Sequence, residues 1–209
     1  MASKFRVRYF FRPLVTIIAK GLIKIKVTPN LATVIMLCFS VLCFISLAFF
    51  QNLLCFSIFV VITGIMDGCD GAIARLTNKS TKFGGLFDSF MDRVSEFFIF
   101  LGLGIYNKDQ FLWNLIDMKL IIFISFFSSI LISYSRARAE VFFKGDYDIG
   151  LMARSERLFY LFISMMFAFF FGFMKELLFI YLWLVVGTYL FRMIRIYYRI
   201  KSKDNNLNK

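Results

Sequence analysis

Apolar residues run through this chain in long blocks rather than in alternation. Six of them, covering 31–50, 53–75, 86–106, 120–143, 153–171 and 177–196, approach the roughly 20 residues a hydrocarbon core demands of a spanning helix. The connections are short, which predicts antiparallel neighbours and a single domain. The short alternating strands of an outer-membrane barrel are not visible. Ahead of the first block the pattern changes to that of an amphipathic helix. Pro13 suits a first helical position, Thr16, Lys20 and Lys24 recur every four residues, and Leu14, Val15, Ile17, Ile18, Leu22 and Ile25 fill the other face. Such a segment lies in the membrane interface, either as a plain anchor or as an element that shapes lipid access. Pro29-Asn30 stands where a small-residue cleavage site would be sought, so the segment does not read as a cleavable signal. The expected fold is an all-α integral membrane protein: an interfacial helix within 1–27, six transmembrane helices over 31–196 and a cytoplasmic tail over 197–209.

Composition agrees with a bilayer as solvent. Of 209 residues, 60% are hydrophobic and 20% aromatic, with thirty Phe and two Pro and a mean hydropathy of +0.75, well beyond a soluble domain of ordinary make-up. Cys38, Cys43, Cys55 and Cys69 sit in apolar stretches without metal-ligand spacing and read as small core hydrophobes. Charge sets the orientation, because cytoplasmic segments carry the excess of Lys and Arg. With the amino terminus inside, 22 of the 25 basic residues fall on the inner side, and Lys108, Lys119 and Lys175 remain outside. Both termini should therefore be cytoplasmic. The net charge of +12 reads as topology plus anionic headgroups, and no nucleic-acid partner is expected.

Four acids break this apolar background at fixed spacing: Asp67-x2-Asp70-Gly71-x2-Ala74-Arg75-x8-Gly84-x3-Asp88-x3-Asp92. An ionisable residue inside a spanning segment costs several kcal/mol on common scales and marks a functional site by default. Helical spacing aligns Asp67, Asp70 and Ala74 near the end of one span and pairs Asp88 with Asp92 at the start of the next. The polar turn 76–83 lets the two pairs face each other near the cytoplasmic surface. Carboxylates in such a group would repel one another without cations. Their oxygens are the hard ligands that Mg²⁺ or Mn²⁺ prefer, and two such ions can bridge a pyrophosphate and stabilise a leaving phosphate. Gly71 and Ala74 remove bulk where a nucleotide would approach, Gly84 does so from the turn, and Arg75 offers a fork for phosphate.

All eight of these residues match the pattern of the CDP-alcohol phosphotransferases, and the chain resembles that family. The resemblance implies a six-helix, usually dimeric membrane enzyme that displaces CMP from a CDP-activated lipid with an alcohol hydroxyl. It implies two divalent cations on Asp67, Asp70, Asp88 and Asp92, with Asp92 also acting as general base. It also places Pro29, Asn30 and Thr33 near the nucleotide and Thr81 near the donor phosphate.

Within the family, Tyr134-Ser135-Arg136-Ala137-Arg138-Ala139-Glu140 and Arg154-Ser155-Glu156-Arg157 resemble the Y-x-K-A-R-A-E and R-P-E-R stretches of phosphatidylinositol-phosphate and archaetidylinositol-phosphate synthases. Those enzymes use inositol 1-phosphate. Arg136 stands for the usual Lys and Ser155 for the usual Pro, and an Arg is not a neutral exchange for a Lys. An acceptor bearing its own phosphate needs further cations. Arg136, Arg154 and Arg192, at the inner ends of three predicted helices, are expected to converge on that anion. The expected function is transfer from CDP-diacylglycerol or CDP-archaeol to inositol 1-phosphate, in a homodimer in the plasma membrane with its active site facing the cytoplasm. Glycerol 3-phosphate is the competing acceptor. A divalent-cation transporter or channel is the competing class, although clustering of the acids at one end and the nearby Arg75 argue against a continuous path.

Overall fold

In the computed structural model, which describes residues 7–142 and 150–207, the chain is almost wholly helical. The elements are α1 (Val7–Lys24), α2 (Pro29–Ala48), α3 (Leu53–Leu76), α4 (Lys82–Tyr106), a small hairpin of β1 (Phe111–Leu112) and β2 (Ile116–Asp117), then α5 (Met118–Phe142), α6 (Arg154–Phe171) and α7 (Met174–Leu207). Helices α2 to α7 coincide with the six apolar blocks. Phe143, the expected end of the fourth block, lies outside the described residues. Four of the helices, α2, α3, α5 and α7, are long and apolar enough to cross a membrane. The other two are interrupted by charge: Asp88, Asp92, Arg93 and Glu96 in α4, and Arg154, Glu156 and Arg157 in the first turn of α6.

Local sequence explains where the helices start. Thr28 caps α2 by accepting from the Leu31 N–H at 3.3 Å, with Pro29 in the first turn where its missing donor costs nothing. Asn52 caps α3 through the Cys55 N–H at 3.0 Å, and Thr81 caps α4 through the Gly84 N–H at 2.9 Å. These short capped turns fold α2, α3 and α4 into an antiparallel unit. α6 packs on α3, α5 on both α4 and α7, and α1 lies against α3.

Two apolar clusters hold the bundle. The larger joins Phe56 and Val60 of α3, Ile99 and Leu103 of α4, Leu161 and Met165 of α6, and Tyr181 and Val185 of α7. The smaller, at the other end, joins Ala19 of α1 to Met36 of α2 and to Met66, Cys69 and Ile73 of α3. Three of the buried hydroxyls between helices, those of Ser46, Ser57 and Thr63, are returned to carbonyls of their own helix at 2.7–2.8 Å. They supply small volume for close packing and leave no donor stranded. Of the four cysteines expected as core residues, Cys43 and Cys69 are buried, but Cys55 is only half-buried and Cys38 is exposed on the outer face of α2, and none of the four is in a disulfide.

Two features depart from the pattern along the chain. The connection between α4 and α5 contains a hairpin whose turn places Trp113 and Asn114 at φ +49° and +57°. α7 does not end at Ile196 but continues as helix to Leu207. Ile196 and Ile200 pack there with Ala139 of α5, so the extension has a partner.

Gly102 and Gly104, both small residues within α4, prove different. A Cβ on Gly102 would lie 3.1 Å from Phe44 Cα, so α4 and α2 touch backbone to backbone there, while nothing lies within 4 Å of Gly104. Gly102→Val should force the helices apart and cost about 1–3 kcal/mol. Thermal unfolding in detergent should show a lowered Tm for that variant and none for Gly104→Ala.

Candidate functional site

The turn between α3 and α4 brings their acids together. Asp70 is fixed most firmly: one oxygen accepts from the Thr33 hydroxyl of α2 at 2.8 Å, and the other accepts from the Gly71 N–H. Asp67, Asp88 and Asp92 each offer a carboxylate oxygen such that the three atoms lie within 4.8 Å of one another. Asp88 Oδ1 is buried and has no hydrogen-bond partner. An unpartnered buried acceptor among converging hard oxygens is the donor set that a divalent cation prefers.

Arg154, from the start of α6, donates through Nη1 to both Asp67 and Asp92. The sequence places it at an acceptor phosphate. The structure places it on the acids, while its side chain also lines the cavity where that phosphate is expected.

On one side of the acids, α2, α3 and the turn enclose a cavity of about 200 Å³. Asn30 and Thr33 line it from α2, Gly71, Ala74 and Arg75 from α3, and Thr81 and Gly84 from the turn, so every residue expected on the donor side is present. A Cβ on Gly84 would lie 3.0 Å from Thr81 Oγ1 and 3.5 Å from Asn30 Oδ1, so a side chain there would crowd the capping hydroxyl. Thr33 is reassigned in part, since its hydroxyl is committed to Asp70. Lys79 and Ser80 line this cavity as well. In the sequence Lys79 counts only as a topological charge, although its position four residues after Arg75 was the available signal.

On the other side, α4 to α7 enclose a cavity of about 330 Å³ that Arg136, Arg154 and Arg192 all line, as expected of an anion site. Arg192 is buried and donates to the Ile132 carbonyl at 2.9 Å. Arg136 pairs with Glu140 one turn away at 2.9 Å. Asp88 lines both cavities and is the wall between them. A third space, about 350 Å³ and mostly apolar, opens between α1, α3 and α6 over Val15, Val61, Ile65 and Leu158, and ends at Asp67 and Arg75.

A buried ion pair that the acid motif does not include lies beside these cavities. Arg157, only 1% exposed, meets Glu96 in a bidentate pair of 2.9 and 3.2 Å. It also donates to the Met152 carbonyl at 3.1 Å and to Ser133 Oγ at 3.4 Å. Glu96 stands one helical turn beyond Asp92, so the pair pins α6 to the acid-bearing face of α4. The signal was present: Glu96 continues the four-residue spacing of Asp88 and Asp92.

Residues 26–191 match the family model described as CDP-alcohol phosphatidyltransferase. The chain is 34% identical over 151 residues to archaetidylinositol phosphate synthase of Pyrococcus horikoshii, covering 72% of this chain and 75% of that one. It is 33% identical over 158 residues to phosphatidylinositol phosphate synthase of Mycobacterium tuberculosis, covering 72% and 68%. Crystal structures of the Mycobacterium tuberculosis enzyme superpose well. The form with CDP-DAG bound gives a TM-score of 0.75 at 26% identity over 88% of this chain and 94% of that one. The form with manganese and citrate gives 0.76 over 88% of each.

Removing one member of the Glu96–Arg157 pair strands a buried charge, which costs about 3–5 kcal/mol. Arg157→Met should therefore lower Tm sharply, and Glu96→Leu with Arg157→Met should recover much of the loss. Equal Tm values for the single and double variants in thermal unfolding would contradict the pairing.

Proposed function

Because the chain belongs to the CDP-alcohol phosphatidyltransferase family, we propose that it transfers the phosphatidyl-type group of a CDP-activated glycerolipid to inositol 1-phosphate and releases CMP. One observation carries the reading: the acids stand where three spaces meet. The small-residue cavity beside Asp70 suits a cytidine diphosphate, with Arg75 and Lys79 for its phosphates. The apolar space ending at Asp67 and Arg75 suits the lipid chains. The cavity beyond Asp88 is lined by Arg136, Arg154 and Arg192, together with Arg93 and the Glu96-paired Arg157, and suits an acceptor with its own phosphate.

Asp67, Asp70, Asp88 and Asp92 would hold two divalent cations, Mg²⁺ or Mn²⁺. When bound, these supply charge neutralisation of the pyrophosphate and stabilisation of the leaving group. The protein's own residues do the rest. Asp92 faces the acceptor cavity and takes the proton of the attacking hydroxyl. The new bond joins that oxygen to the lipid-bearing β-phosphorus, and the bond from this phosphorus to the bridging oxygen breaks, so that CMP leaves with the electron pair. Arg136 and Arg192 orient the acceptor by its phosphate. Thr33 holds Asp70 in place through its hydroxyl.

The acceptor follows from the arginines and from the relatives that make inositol phosphate lipids. Glycerol 3-phosphate would present a similar anion and is the acceptor to exclude. A cation path finds no support, since the acids gather at one end of α3 and α4 beside Arg75 instead of lining a path through the bundle. The same reading places all six helices α2 to α7 across the plasma membrane as a homodimer, with α1 in the interface and both termini cytoplasmic. Its support is the inner side's 22 of 25 basic residues and the common placement of all three cavities at one end of the bundle.

Purified protein incubated with CDP-lipid and Mg²⁺ should release CMP with inositol 1-phosphate and far less with inositol, glycerol 3-phosphate or serine. Preference for glycerol 3-phosphate would replace the acceptor assignment. Asp92→Asn should bind CDP-lipid but lose about 10²- to 10⁴-fold in turnover, and near-normal CMP release would remove Asp92 from the role of base. Arg192→Ala should raise the KM for the acceptor by about tenfold or more, in line with loss of a charged hydrogen bond, and leave that for CDP-lipid nearly unchanged.

A further inference from the structure

Two arginines one turn apart at the start of α6 are held in contrasting ways. Arg157 has Glu96, the Met152 carbonyl and Ser133 around its guanidinium. It locks α6 against α4 and α5, and with it the backbone position of Arg154. Arg154 itself is under-satisfied. Nη1 serves both Asp67 and Asp92, Nη2 finds only the weak thioether acceptor of Met36 at 3.4 Å, and Nε is buried without a partner. A guanidinium has five donors and favours planar, bidentate pairing, and this one achieves neither.

The same side chain belongs to two sites. Its carboxylate partners, Asp67 and Asp92, are two of the three acids whose oxygens converge. Its own flank lines the cavity with Arg136 and Arg192. A guanidinium on those oxygens and a divalent cation on those oxygens compete for the same lone pairs and the same space. The charges favour the cation once it is present, since it brings two positive charges to four carboxylates where Arg154 brings one. The flexible stem of Arg154 then allows its head to turn to the neighbouring cavity, where an anion is the matching partner.

We propose that Arg154 is an exchangeable counter-charge. It neutralises Asp67 and Asp92 in the metal-free protein, is displaced by a divalent cation, and is thereby handed to the phosphate of the acceptor. This rests on the reading of the acids as a cation site and of the arginine cavity as a phosphate site. Its consequence is a coupling between the two ligands. Each strengthens the other's binding by the same factor, as linkage requires. The enzyme is thereby protected from gathering a phosphorylated acceptor before the acids are loaded.

The test uses full-length protein in detergent and Mn²⁺ alone as the first probe, with free Mn²⁺ read by electron paramagnetic resonance. Arg154→Gln should bind Mn²⁺ about tenfold more tightly than wild type, a shift of about 1.4 kcal/mol. Arg154→Lys, which keeps the charge, should stay near wild type. Arg192→Gln removes an equal charge from elsewhere in the cavity and should shift Mn²⁺ affinity far less. The second probe is inositol 1-phosphate, without CDP-lipid. Wild type should bind it about tenfold more tightly with Mn²⁺ than without, and Arg154→Gln should lose that difference. Unchanged or weaker Mn²⁺ binding by Arg154→Gln overturns the proposal while leaving the cation site intact. Absence of Mn²⁺ binding by wild type overturns the cation site and the proposal together. Because the Mn²⁺ arm contains no acceptor, a wrong acceptor assignment cannot produce either result.

Discussion

Four carboxylates gathered at the end of an apolar helix bundle form the constraint to which the rest of this structure answers. Removing a charged group from water costs several kcal/mol even after relaxation, and like charges at close range add to that cost. Each acid is therefore given a specific partner or a specific role. Asp70 is held by the Thr33 hydroxyl and the Gly71 N–H. Asp67 and Asp92 share Arg154. Asp88 keeps an oxygen without a protein partner. The cluster is thus compensated only in part by protein groups, with converging carboxylate oxygens suited to a divalent cation.

Helix packing serves that cluster. The capped turns at Thr28, Asn52 and Thr81 fix the register of α2, α3 and α4, and Gly102 brings α4 against the α2 backbone. With that unit rigid, α6 must bring a positive charge to the level of Asp67 and Asp92. The Glu96–Arg157 pair secures it there, one turn beyond the acids. Such a pair is poor evidence for stability, since an apolar replacement would serve packing as well. Its service here is positional, because a displaced α6 would withdraw Arg154 from the cluster.

The arrangement also reconciles two incompatible solvents. On the proposed reading, the donor joins a lipid to a nucleotide and the acceptor is fully polar. Asp88 divides the two polar cavities, and Asp67 closes the apolar one. The reacting groups can meet only at the acids, so geometry replaces the chance encounter of partners that dissolve in different phases.

Much of this was legible along the chain. Apolar blocks of spanning length fixed the six long helices, because no other regular element satisfies its backbone in lipid except a closed barrel. The spacing of Asp67, Asp70, Asp88 and Asp92 fixed the facing pairs, because a helix repeats every three to four residues. Thr81 and Gly84 were marked as site residues, although the capping bond between them was not. The hairpin at Phe111–Asp117 was not legible, since it depends on two residues with positive φ, Trp113 and Asn114, that local sequence does not demand. The continuation of α7 past Ile196 depends on Ile200 meeting Ala139 from a distant helix. The partners of the arginines were likewise hidden. Sequence determines that Arg154 and Arg157 open one helix and that Arg192 stands toward the end of the next, because the apolar blocks set where the helices run. Only the tertiary structure decides that Arg157 is bound to Glu96 while Arg154 lies across Asp67 and Asp92, because a buried charge takes whichever opposite charge the packing of other helices brings within reach.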